Sequence, residues 1–108
     1  MSYLQSIKKC FESDVVFYTR HAKVEMENEE LGRIFEHEVY EAIFNGEVIE
    51  EYPEDKPYPS VLIFGKTMAG YPLHIVCAYN DEEDLTIIIT VYRPNPALWV
   101  EYKRRKKP

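Results

Sequence analysis

The chain predicts an α+β domain: an antiparallel four-stranded meander sheet, with a short extra N-terminal strand and two to three helices packed on one face. Three observations carry this. Helix-favouring stretches cluster in the first 45 residues, whereas strand-rich runs of Val, Ile, Tyr and Thr fill residues 47–93. The strand runs follow one another across short turns, the arrangement of a meander. At 108 residues, with 45% hydrophobic and 30% charged side chains, the chain has the size and composition of one globular domain.

Tyr3–Glu12 places Leu4, Ile7 and Phe11 at helical spacing, with Lys8 and Lys9 on the far side and Ser2 as cap. Asp14 breaks this helix, and Val15–Tyr18 is a brief strand. Thr19 is placed to cap a helix from Arg20 to Glu30, whose Ala22 and Met26 face the core, with Gly32 as the left-handed terminator. Arg20 and His21 fall in its first turn, where unpaired N–H groups favour anions. Glu36–Asn45 is the next helix, buried through Val39, Ala42 and Ile43 and stopped by Asn45-Gly46; His37 belongs to its acidic, solvated face.

Glu47–Tyr52 alternates wet and apolar positions, as an edge strand does. The proline-rich stretch 53–59 is a loop that Tyr58 would anchor, and Ser60–Lys66 is a strongly apolar strand. Thr67–Gly70 turns the chain into a long hairpin, Tyr71–Tyr79 and Leu85–Arg93, around the acidic turn 80–84. Pairing Tyr79 with Leu85 would set Leu73, Ile75, Cys77, Ile87, Ile89 and Val91 on the core face. The opposite face would carry His74 directly across from Thr90 and diagonal to Tyr92, looking toward an open side. Beyond Arg93, Asn95 and Pro96 start a helical turn that folds Trp99 back onto the core. Residues 1–102 thus form the domain, and 103–108 a basic tail.

Charge narrows the partners. Net charge is −6, but Lys103, Arg104, Arg105, Lys106 and Lys107 supply +5, leaving 8 basic against 19 acidic groups in the first 102 residues. Such a body repels phosphates, so nucleic acid would have to use the tail and a few local cations. No apolar run is long enough for a membrane span and no export signal opens the chain, so a cytoplasmic protein with no membrane partner is expected. Cys10 and Cys77 read as free thiols. There is no H-x-x-x-H, no H-E-x-x-H and no phosphate loop, so neither a metal nor another cofactor is expected.

Tyr18-Thr19-Arg20-His21-Ala22, the run Asn45 to Pro53, Gly65, the run Gly70 to Val76 and Ile89-Thr90-Val91-Tyr92 together resemble the small prokaryotic family called domain of unknown function 4258. The resemblance spans about Phe17 to Trp99. That family is similar to compact RNA-cleaving toxins of toxin–antitoxin pairs, often encoded beside a small antitoxin-like zinc-finger protein. It therefore implies a ribonuclease-like hydrolase, with RNA and the zinc-finger protein as partners; a homodimer is a further expectation. Metal-independent RNA cleavage needs a base, an acid and a cation. The candidates are His74 and Tyr92 at the centre, with His21 adjoining if the helix start reaches the sheet. Arg20, Thr90, Arg93 and the tail residues Lys103, Arg104, Arg105, Lys106 and Lys107 would bind substrate. Two alternatives stand beside this. His74 would be a core histidine satisfied by Thr90, and the chain a non-enzymatic protein-binding module using its Tyr-rich sheet face or the edge strand Glu47–Tyr52.

Overall fold

A computed structural model describes residues 3–107. Three helices, α1 (Tyr3–Glu12), α2 (Arg20–Glu27) and α3 (Glu36–Phe44), cover one face of a sheet built from β1 (Val16–Tyr18), β2 (Glu47–Tyr52), β3 (Ser60–Lys66), β4 (Pro72–Asn80) and β5 (Leu85–Tyr92). The α+β class agrees with the sequence. The sheet differs: it is mixed and five-stranded, in the order β1-β5-β4-β3-β2. β1 runs parallel to β5, from Val16 opposite Thr86 to Tyr18 opposite Ile88, and so covers half of an edge that a meander alone would leave bare. The Ser2 cap lies outside the described residues. No helix among the described residues is long and apolar enough to cross a membrane.

Local chemistry accounts for most boundaries. Asp14 takes a left-handed conformation (φ 57°) directly after α1, and Val15 N–H donates back to the Cys10 carbonyl. Thr19 Oγ1 accepts from Ala22 N–H and starts α2. α2 ends three residues sooner than its composition suggests, with Asn28 as C-cap. Gly32 (φ 121°) turns the following loop and does not terminate the helix. Asn45 closes α3 and clamps it to β3, its side chain bonding the Glu41 carbonyl and both backbone groups of Lys66. Gly65 is dictated by close approach: a Cβ there would stand 1.9 Å from the Ala42 carbonyl oxygen.

The core lies between the helices and the sheet. Ile7, Phe11, Ala22, Met26, Val39, Ala42 and Ile43 pack onto Val61, Ile63, Leu73, Ile75, Cys77, Ile88 and Val91. Each fully buried aliphatic side chain stabilises the fold by about 1.5–3 kcal/mol relative to exposure.

The β4–β5 register departs from the simple hairpin. Asn80, not Tyr79, faces Leu85, and Ile89 is an extra residue between the pairs Cys77–Ile88 and Val76–Thr90. The bulge swaps the faces of the turn-proximal half, so Thr86 and Ile88 enter the core while Ile87 and Ile89 do not. Beyond it the offset is two residues, which preserves side-chain parity. His74, Thr90 and Tyr92 still share the face away from the helices, but His74 lies directly across from Tyr92 and Thr90 across from Val76.

That face is not open at the His74 end. After one turn at residues 96–98, the chain forms a second hairpin, β6 (Trp99–Val100) with β7 (Arg104–Arg105), and the basic stretch becomes its returning strand. Glu101 and Tyr102 both have positive φ (53° and 64°) in the three-residue connection 101–103, where Lys103 N–H donates to the Val100 carbonyl.

Candidate functional site

Two places bring the sequence-predicted residues together. The first lies beneath the C-terminal hairpin. A row of paired residues runs across the sheet there: Tyr92, His74, Phe64 and Glu47. The hairpin covers it. Trp99 meets the His74 ring edge-on with centroids 4.4 Å apart, Tyr102 stacks on Phe64 at 6.1 Å, and Lys103 pairs with Glu47 at 3.0 Å. His74 has 0% solvent exposure.

Both of its ring nitrogens are engaged. Nε2 is 2.6 Å from the Tyr102 carbonyl, which can only accept, so Nε2 carries the hydrogen. Nδ1, 3.0 Å from the Tyr92 hydroxyl, then accepts from it in the neutral ring. Burial pushes the His74 pKa down and favours this neutral form. The expected partner Thr90 is replaced by Tyr92 and a backbone carbonyl, and the imidazole is sealed by the hairpin instead of facing solvent. In this conformation it serves as a clasp.

Glu50, Tyr52 and Arg105 complete the cluster. Arg105 donates to Glu50 from Nε (2.8 Å) and Nη2 (3.2 Å), its guanidinium lies over the Trp99 ring, and the Tyr52 hydroxyl donates to Glu50. Burial works to raise the Glu50 carboxyl, yet the hydrogen bonds from Arg105 and Tyr52 together hold it below its usual range. Burial raises Tyr92 to about 12, so its phenol is protonated near neutral pH.

The second place is the edge of β5 that β1 leaves free. The start of α2 reaches it. Thr19 donates from N to the Ile88 carbonyl and from Oγ1 to the Ile89 carbonyl. Glu25 Oε1 accepts from Val91 N–H at 2.8 Å. The other oxygen of the same carboxylate lies 4.0 Å from His21 Nε2, and the His21 side chain is 68% exposed. The i, i+4 spacing of one helix turn thus ties an accessible imidazole to the strand carrying Thr90 and Tyr92. Arg20 and Lys23 are exposed on the same helix.

The remaining candidates are dispersed. Arg93 donates to the Gly32 and Arg33 carbonyls at 3.0 and 3.2 Å and pairs with Glu38 at 3.5 Å, so it braces the α2–α3 loop. Arg104, Lys106 and Lys107 are exposed, while Lys103 and Arg105 bind carboxylates of β2. His37 stacks on Phe35. Cys10 and Cys77 are free and buried, and burial lifts the Cys77 thiol to about 12. Among the described residues, no group of three or more His, Cys, Asp or Glu stands together as a metal site.

Sequence reasoning missed Glu25, Glu50 and the roles of Trp99 and Tyr102. Glu25 was within reach, because it stands one helical turn after His21. Glu50 was not, since its partner is 55 residues away on the returning hairpin strand.

The family described as Domain of unknown function (DUF4258) matches residues 18–93, which take in α2 through β5 and stop short of the C-terminal hairpin. No curated protein and no solved structure matches the chain significantly. The matched segment contains His21, Glu25, His74, Thr90 and Tyr92, and more than half of the chain; the protein belongs to the DUF4258 family.

Proposed function

We propose that this chain is a toxin-like cytoplasmic ribonuclease that cleaves single-stranded RNA without a metal at the free edge of β5. The observation that carries the reading is the bridge made by Glu25, which accepts from Val91 N–H at 2.8 Å and stands 4.0 Å from His21, one residue along the strand from Tyr92. His21 is the base: its imidazole takes the proton of a ribose 2′-hydroxyl, and Glu25 orients the ring and balances the charge it gains. The 2′-oxygen attacks phosphorus, a 2′,3′-cyclic phosphate forms and the P–O5′ bond breaks. Tyr92, protonated at neutral pH, turns its hydroxyl hydrogen from His74 Nδ1 to the leaving 5′-oxygen and gives it up there, and water carries a proton from imidazolium back to phenolate. Arg20, exposed next to His21, attracts the phosphate; Thr90 shares the sheet face of Tyr92. His74 moves from base to support, holding the Tyr92 hydroxyl from behind.

The test is purified protein with labelled single-stranded RNA in EDTA. The reading expects cyclic-phosphate ends, and a loss of about 100-fold or more in rate for His21→Ala. RNA that stays intact, or is cut as fast by that variant, contradicts it.

A second reading is a non-enzymatic module that pairs with a small zinc-finger protein. It is supported by the unpaired outer edge of β2, the last strand of the sheet, and by the sealing of His74.

A further inference from the structure

On the side of the α2–α3 loop, three large apolar side chains stand in solvent: Leu31 (69% exposed), Phe35 (48%) and Tyr71 (60%). Together with Pro72 and Pro96 they line a cleft of about 710 Å³. Scattered exposed hydrophobics are ordinary; several converging on one concavity mark a binding surface. A second hollow of about 740 Å³ is walled by Glu25, Glu29 and Glu30, and it shares Leu31, Arg93 and Pro96 with the cleft. The two are therefore one groove, mainly apolar at one end, where Arg33 and Arg93 lie over the Phe35 and Tyr71 rings, and acidic at the other.

We infer that this groove docks a basic segment of a partner protein, with one large apolar side chain seated among Leu31, Phe35 and Tyr71 and a neighbouring Lys or Arg paired with Glu29 and Glu30. Charge complementarity selects this occupant. The acidic end holds three carboxylates, and its single guanidinium, Arg93, is already engaged by Glu38 and two carbonyls. An RNA phosphate would be repelled by the carboxylates of this end. Burial raises the Glu29 carboxyl despite a backbone hydrogen bond and attraction from Arg93, and the neighbouring Glu25 and Glu30 add to the rise, so a further cation would relieve an unfavourable environment. An aromatic or aliphatic anchor in a pocket, with a charged pair at the rim, is the usual division between affinity and steering at protein interfaces. The inference deepens the protein-binding reading and rests on it, but does not depend on the chain cleaving RNA. Glu25 belongs both to this groove and to the His21 site, so an occupant here would crowd the proposed reaction centre.

The test pans phage-displayed random dodecapeptides against the full chain, then measures synthetic copies of enriched sequences against wild type, Leu31→Ser/Tyr71→Ser and Glu29→Gln/Glu30→Gln. Glu30, Leu31 and Tyr71 are exposed and Glu29 is half-buried, and equal melting temperatures confirm that the variants fold. Enriched peptides should pair Trp, Phe or Leu with Lys or Arg. The first variant should weaken them about tenfold or more, the second several-fold at low salt, with the second difference vanishing near 0.5 M NaCl. No enrichment, or enrichment of acidic sequences, overturns the proposal. Peptides that bind both variants as tightly as wild type also overturn the groove, but leave a protein-binding module with its site elsewhere.

Discussion

The two faces of the sheet are covered by different physics. Helices cover one face, through a continuous apolar core in which Val39, Ala42, Ile43, Ile63, Leu73, Ile75, Ile88 and Val91 are completely buried. A short hairpin covers part of the other, held by one aromatic wedge, one imidazole and two ion pairs at Glu47 and Glu50. The apolar face gains from area alone and is nearly indifferent to pH and salt. The hairpin face depends on protonation and on charges in partly wet surroundings. Its turn also adopts left-handed backbone at Glu101 and Tyr102, which neither residue favours. One face is therefore a rigid foundation; the other can respond to conditions.

The largest effect should come from disturbing the foundation. Gly65→Ala would drive a methyl into the Ala42 carbonyl and lift α3 from β3. Urea unfolding should show a loss of about 3 kcal/mol or more, spread over the whole domain. His74→Ala should cost less, about 2–3 kcal/mol, by opening a hole under Trp99 and stranding the Tyr102 carbonyl. Its signature would be local: hydrogen exchange should rise first at residues 99–105, whereas Gly65→Ala should raise it everywhere.

Acid should separate the faces more gently. The folded state lowers the His74 pKa below its ordinary value near 6.5, so just below that pH the unfolded chain binds more protons than the folded one. The stability His74 contributes is complete above about pH 6.5 and falls as pH drops toward its depressed folded value. The chain has one Trp, so Trp99 emission reports the hairpin directly. It should begin to shift as pH falls below about 6.5, and the shift should disappear in His74→Gln. The smallest effect is expected from Glu50→Gln. Arg105 is largely exposed, and screening limits such a pair to about 0.5–1 kcal/mol at low salt and almost nothing at 1 M NaCl.

The foundation was legible in the sequence and the hairpin was not. Periodicity exposed Ala22 and Met26, and Val39, Ala42 and Ile43, as buried stripes, and β-branched runs located β2 to β5. Even the misregistered β4–β5 pairing kept His74 and Tyr92 on one face, because the true offset at that end is an even number of residues. The bulge at Ile89 leaves no compositional mark, and the parallel pairing of β1 joins residues 70 apart. The C-terminal strands are two residues each, and the left-handed positions of their connection are Glu101 and Tyr102, where such positions ordinarily take Gly or Asn. A run of five cations reads as a solvated tail until Glu47 and Glu50 are known to lie beneath it. At the candidate site, His21 and Tyr92 were visible as residue types. Their connection through Glu25 needed the α2–β5 contact.

If the proposed function holds, the reacting groups stand at the free edge of β5 while His74 is a structural clasp under the hairpin, and one side-by-side measurement separates the two roles. The rate of metal-free RNA cleavage should be compared for His21→Ala and His74→Gln, each checked for wild-type folding. The account predicts a loss of about 100-fold or more for His21→Ala. It predicts a change within about tenfold for His74→Gln, whose amide can replace the bonds to Tyr102 and Tyr92. The reverse order, or two variants as active as the parent, would contradict it.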